Sequence, residues 1–177
     1  LGIGRTFQNL ALFRTMSVRR NILVGAHCRT HSGFLSDALR LPRVQAEERD
    51  LARRTDALIA MLGLELVAGL SVDELPFGTR KRVELARALA SEPRLLLLDE
   101  PAGGLNHEEV EQLRTLILAI RERLSLTVLL VEHHMNLVMR VSDKVVSLYF
   151  GRKIAECTPK DVQGNADVIR AYLGAAA

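Results

Sequence analysis

Two adjacent carboxylates, Asp99 and Glu100, close an apolar run of four leucines, Leu95–Leu98, and lead straight into Pro101, Gly103 and Gly104. Such a run reads as a strand buried on both faces of a parallel sheet. In open parallel sheets, ligands bind beyond the carboxyl ends of the strands. An aspartate at such a tip suits a hydrated Mg2+, which keeps several waters and takes one or two carboxylates beside phosphate oxygens. A neighbouring glutamate has the chemistry to orient or deprotonate a water for attack on phosphorus. The pair also has a plainer use, because strand-end acids cap the turns that follow them. Three further positions bear on the choice. Gly78 lies at the mouth of a helical pattern, where backbone N–H groups and the positive end of the helix dipole form an anion site. His133, in VEHH, follows a second apolar run, so it falls on the same edge as Glu100, although a lone histidine more often has a structural role. Gln8, in RTFQN, is anonymous by itself.

The elements that must position these groups follow from periodicity. Strands are expected at 94–99, 126–131 and 144–150, the last turning at Gly151-Arg152 into 153–156, and a strand end or loop at 1–10. Helices are expected over 15–26, with Thr15 or Ser17 as cap, over 44–62, ended by Gly63, and over 79–91, stopped before Pro93. A short helix fits 65–69, and further helices fit 107–123, 135–141, 159–163 and 167–173, while 27–43 is loop-rich or weakly helical. Alternation of strand and helix in the second half gives an α/β layer with a parallel sheet, and the first half is chiefly helical.

Composition narrows the classes. A chain of 177 residues that is 48% hydrophobic is long enough and apolar enough for one domain, or one domain with a small lobe. Its net charge of +3 is too small to argue for nucleic acid. The run Arg80-Lys81-Arg82 reads as a solvated helix face balanced by Glu84, and no aromatic stacking platform accompanies it. Cys28 and Cys157 have neither disulfide nor metal spacing, which fits a reducing setting. No apolar run approaches the ~18 residues of a membrane span. The opening LGIGRTFQNL reads as mid-protein sequence, so a fragment or processed piece is expected.

Taken in order, these motifs resemble the nucleotide-binding subunit of ABC transporters. TFQN resembles the Q-loop, LPFGT the signature motif, LLLLDE the Walker B strand, AGGLN the D-loop and VEHH the H-switch. The P-F-G of the signature, the GLN of the D-loop, the charged stretch LPRVQAEERD and the ending VIRAYLG are similar to the LivG-type ATPases of branched-chain amino acid importers. The resemblance implies a partial P-loop NTPase core with a parallel sheet plus an all-helical subdomain. Residues 1–8 would be the end of the core up to the Q-loop, 9–90 the helical subdomain with the signature, and 91–177 the distal core.

It also implies ATP and Mg2+. Asp99 and Gln8 would serve the metal, and Gln8 would also touch the attacking water and relay to membrane subunits. Glu100 would be the general base or water-orienting group, and His133 would touch the γ-phosphate. Pro76, Phe77, Gly78 and Thr79, with Gly104 and Asn106 of the D-loop, would face ATP held by the opposite subunit of a homo- or heterodimer. The implied partners are transmembrane permease subunits and, indirectly, a periplasmic substrate-binding protein, with no nucleic acid. The implied place is the cytoplasmic face of a bacterial inner membrane.

Some features depart from the family pattern. The sequence has no G-x-x-x-x-G-K-[ST] run and no Gly-Lys pair, so the loop that cradles phosphates is missing from this stretch. The expectation is an isolated chain without activity, with open sheet edges, exposed apolar faces and marginal solubility. Pro76 replaces a common serine, Thr79 a common glutamine, and His134 a common aspartate. Two alternatives share some of these features. One is a repair- or translation-type ABC ATPase, which usually carries paired cassettes or long inserts. The other is a non-catalytic regulatory or degraded ABC-like fragment.

Overall fold

The computed structural model describes residues 2–6, 10–29 and 42–173. Gln8 and the rest of TFQN apart from Thr6 lie outside the described residues, as does 30–41 of the stretch expected to be loop-rich.

Three parallel strands form the sheet that carries the acids: β1 (Ile3–Arg5), β2 (Leu95–Asp99) and β3 (Thr127–Val131), with β2 in the middle. Leu95 is in register with both Ile3 and Thr127, and Asp99 with Val131. All three strands run the same way, so their carboxyl tips share one edge. Along β2 only Leu96 and Leu98 are buried, and Leu95 and Leu97 are half-covered. The expectation of burial on both faces is corrected to one-sided packing, because helices cover one face of this strand fully and the other only in part.

A helical part precedes β2, and its last helix packs against β1. It contains α1 (Val18–Gly25), α2 (Pro42–Met61) and α3 (Phe77–Leu89). Ser17 caps α1 by accepting from the Arg20 N–H, which settles the choice of cap. Gly63 ends α2 in the left-handed conformation, φ 63°. The expected short helix beyond it is a single 3-10 turn at Glu65–Val67. Gly25 is where α1 meets α3, since a β-carbon there would sit 2.1 Å from the Arg87 carbonyl oxygen. Buried Asn21 anchors the segment before α1, accepting from the Phe13 N–H at 2.9 Å and donating to the carbonyls of Phe13, Met16 and Ser17. Glu92 pairs with Arg29 at 2.7 Å and with Arg54, tying α2 to the turn before β2.

Between β2 and β3 runs α4 (His107–Leu124), opened by a capping box. The Asn106 side chain accepts from the Glu109 N–H at 3.0 Å, and the Glu109 carboxylate accepts from the Asn106 N–H at 2.9 Å. Acids in its first turn and arginines in its last match the helix dipole. The helix α5 (Met135–Val141) follows β3. One apolar core joins the helical layer to the sheet, running from Ile22, Leu64 and Val83 through Leu96 and Leu98 to Ile120 and Leu137.

Two expectations change. The helix expected at 79–91 starts at Phe77 and ends at Leu89, so Gly78 lies inside its first turn. The strand at 144–150 is β4 (Val145–Tyr149), and it does not join the parallel sheet. It pairs antiparallel with β5 (Arg152–Cys157). The turn is Phe150-Gly151, both with positive φ (44° and 75°), the backbone a tight two-residue hairpin requires, so Arg152 opens β5 and the turn lies one residue earlier than expected. This hairpin, with α6 (Pro159–Gln163) and α7 (Ala166–Leu173), has its own small core of Val145, Ala155, Val162 and Val168. Leu129, Val131, Val146 and Leu148 are half exposed, the open apolar faces expected. No helix among the described residues is long and apolar enough to cross a membrane.

Candidate functional site

The tips of β2 and β3 bring Asp99, Glu100 and His133 to one edge. The β2–β3 ladder runs one residue past the strand, since the Glu100 N–H donates to the Val131 carbonyl at 2.9 Å. Glu100 then turns the chain with a left-handed backbone, φ 44°, unusual for a residue with a side chain. Its carbonyl accepts from the Gly103 N–H at 3.1 Å, which closes the turn. His133 Nδ1 lies 3.8 Å from Glu100 Oε1, beyond hydrogen-bond length but within reach through a small motion or one water. The His133 side chain is 66% exposed and so open to a ligand arriving at this edge. His134 precedes α5 without capping it, its ring 5.8 Å from that of His133. Asp99 pairs with Arg5 at 3.2 Å, and Thr6 continues the edge by donating its N–H to the Leu97 carbonyl. Gln8 lies outside the described residues.

A second cluster gathers Pro76, Phe77, Gly78, Gly104 and Asn106. Pro76 stands at the mouth of α3, and no side chain caps that helix. Phe77 is 45% exposed. Gly104, φ 76°, lets the loop before α4 approach the Phe77 ring, and a β-carbon there would sit 3.0 Å from Phe77 Cε1. One at Gly78 would sit 2.4 Å from Glu109 Oε1. Thr79 follows in the first turn of α3, half-buried. The mouth of α3 and the loop 101–106 are thus in direct contact.

The basic run does not form a solvated face. Arg80 donates to the carbonyls of Leu75 and Asp73, both at 2.8 Å, and Arg82 donates to Gln112 Oε1. Lys81 Nζ donates to the carbonyls of Glu100 at 3.2 Å and Pro101 at 3.0 Å, and it lies 5.4 Å from the centre of the Phe77 ring. Burial pushes the Lys81 ammonium below its ordinary value, against the opposing pull of Glu84, Glu132 and Glu100. Glu84, expected as a solvated balance, is buried. The helix packs this side inward, which a charge count along the sequence does not reveal.

Sequence reasoning passed over Lys81 and Glu132. The Glu132 side chain is 0% exposed. One oxygen accepts from the Ala102 N–H at 2.7 Å, and the other from those of His133 and His134 at 3.0 and 3.1 Å. A carboxylate just past an apolar strand was the available signal, the same one that marked Asp99.

Among the described residues no cluster of three or more His, Cys, Asp or Glu side chains could hold a metal by itself. The donor set suits a water-rich Mg2+ shared with phosphates, which needs only one accessible carboxylate such as Asp99. An apolar cavity of about 430 Å3 lies elsewhere, between α2, the end of α3 and the turn before β2, and is lined by Leu51, Leu58, Met61, Leu89 and Pro93.

Comparison with known proteins gives consistent results. A family model described as ABC transporter matches residues 1–103. One described as branched-chain amino acid ATP-binding cassette transporter matches residues 152–177. The high-affinity branched-chain amino acid transport ATP-binding protein LivG of Escherichia coli is 39% identical over 176 residues, covering 99% of this chain and 69% of LivG. The ADP conformation of MJ1267, an ATP-binding cassette of an ABC transporter, superposes with a TM-score of 0.79 at 26% identity, over 98% of this chain and 68% of that one. A dimeric post-hydrolysis state of the cassette MJ0796, bound to ADP and Pi, has a TM-score of 0.70 at 25% identity, over 89% and 62%.

Proposed function

Because this chain belongs to the ABC transporter family of ATP-binding proteins, we propose that it serves as the ATP-hydrolysing subunit of an importer for branched-chain amino acids. The observation that carries the reading is the meeting of Asp99, Glu100 and His133 at one sheet edge, with the histidine 3.8 Å from Glu100. The match of residues 152–177 and the transport role carried in the name of LivG support the substrate class.

In this reading Glu100 takes the proton of the attacking water or aligns it on the γ-phosphorus, and His133 hydrogen-bonds the γ-phosphate as charge builds there. Asp99, with Gln8 as a further contact, would hold Mg2+, which would supply positive charge against the phosphates. Such phosphoryl transfer depends on positioning more than on covalent chemistry, so the protein's work is to keep these groups fixed. The mouth of α3, Pro76–Thr79, with Gly104 and Asn106, faces the nucleotide of a second subunit, a role supported by the anion-binding character of a helix N-terminus and by the dimeric, ADP-bound state of the similar cassette MJ0796. That subunit is a second copy or a close relative. Transmembrane permease subunits and, indirectly, a periplasmic binding protein complete the assembly on the cytoplasmic face of a bacterial inner membrane. Residues 9–90 act as the signature-bearing lobe, and 1–8 with 91–177 as core.

The absence of a Gly-Lys pair favours a second reading, an ABC-like piece that keeps subunit contacts without turnover. Mg-ATP hydrolysis by this chain joined to a lysine-bearing phosphate loop separates the two, turnover favouring the first and its absence the second, with the chain alone as baseline. Weak or absent binding and no hydrolysis are expected of the chain alone, since no lysine-bearing phosphate loop is present. Turnover by the chain alone that Glu100→Gln abolishes would show that hydrolysis here does not need a lysine-bearing phosphate loop.

A further inference from the structure

We propose that Glu132 is a positioning residue that locks the segment carrying Glu100 and the segment carrying His133 into one unit. Its buried carboxylate is used on both sides. One oxygen takes the Ala102 N–H, two residues beyond Glu100, and the other takes the N–H groups of His133 and His134. The turn that leaves β2 and the turn that leaves β3 are therefore joined through a single side chain. The chemistry calls for a carboxylate. Three donors converge on it from two directions, and only a group with acceptors at both ends serves them all. An amide of the same shape would turn its NH2 toward one set of donors.

The first turn is gripped from its other side as well. Lys81 Nζ holds the carbonyls of Glu100 and Pro101. A cation on the carbonyls and a carboxylate on the N–H fix residues 100–102, and the two charges attract each other. What this grip maintains is the left-handed backbone of Glu100, a conformation that persists only where its surroundings over-determine it. Motion of the histidine segment is thereby transmitted to the turn that aims Glu100, and the reverse.

The proposal rests on the ATPase reading for the meaning of Glu100 and His133, but its test uses no nucleotide, so a failure of one is distinct from a failure of the other. Amide hydrogen exchange is measured by NMR on the full chain for wild type, Glu132→Ala, Glu132→Gln and Lys81→Met. In Glu132→Ala the amides of Ala102, His133 and His134 should exchange at least about tenfold faster, while Leu96 and Leu98 in β2 stay unchanged. In Glu132→Gln, should the alanine variant not fold, one of the two segments loosens and the other holds. Lys81→Met should loosen residues 100–103 without touching His134. The shift that Glu100→Gln induces in the His133 ring signals should vanish when Glu132→Ala is added. Unchanged exchange at the three amides would overturn the proposal. Equal acceleration at Leu96 and Leu98 would also overturn it, by making Glu132 an ordinary core stabiliser.

Discussion

Glu100 holds a left-handed backbone conformation at the position proposed to meet the attacking water. A non-glycine residue in that region costs ~1–2 kcal/mol, and such strain tends to collect at functional sites. Glu100→Ala keeps the strain and removes the side chain, whereas Glu100→Gly removes both. The glycine variant should therefore be more stable than the alanine variant by about 1 kcal/mol, a rise of roughly 2–4 °C in Tm. Equal melting points would show that the turn carries no strain. A second residue-scale expectation concerns Glu156, which Lys144 first and then Lys153 hold down at about 2, well below the ordinary carboxylate range. Because its folded value is depressed, the triad's contribution is present above ~4.3 and is lost as pH falls through about 2. Carboxyl NMR titration should place its midpoint near 2, and 1 M salt should move it upward, since the pairs lie at the surface where salt screens them.

Among the elements, the crossing of α1 on α3 depends on the missing side chain of Gly25. Its would-be β-carbon meets backbone, the Arg87 carbonyl, which cannot swing aside as a side chain would. Gly25→Ala should destabilise the fold by ~1–3 kcal/mol in chemical denaturation, through overpacking. A loss below a few tenths of that would mean the helices part without strain. The strand tips and the helix ends at Ser17 and Gly63 were legible because each rests on local rules of period and capping, and the capping box at Asn106 obeys the same rules but was passed over. The hairpin of β4 and β5 was legible from its turn, but its separation from the parallel sheet was not, since an apolar run does not say which sheet it enters. Nor were the partners of Lys81 and Glu132. Their donors and acceptors come from segments far along the chain, and a charged side chain does not announce on which side of its helix or strand tip it is buried.

At the scale of the molecule, half-exposed Leu129, Val131, Val146 and Leu148 leave apolar surface open on β3 and β4, and Phe150 is 89% exposed at the hairpin tip. Surface of this kind promotes association. Sedimentation of the isolated chain should show concentration-dependent dimers or larger species. A sharp melt from a dilute and strictly monomeric sample would contradict that. The most direct test of the central claim is steady-state Mg-ATP hydrolysis by this chain together with whatever residues its reading frame supplies before Leu1, compared with the Glu100→Gln variant. The account expects turnover that falls at least ~100-fold in the variant, the scale of a lost general base, with nucleotide binding retained. Hydrolysis that continues at the wild-type rate without the Glu100 carboxylate would contradict it.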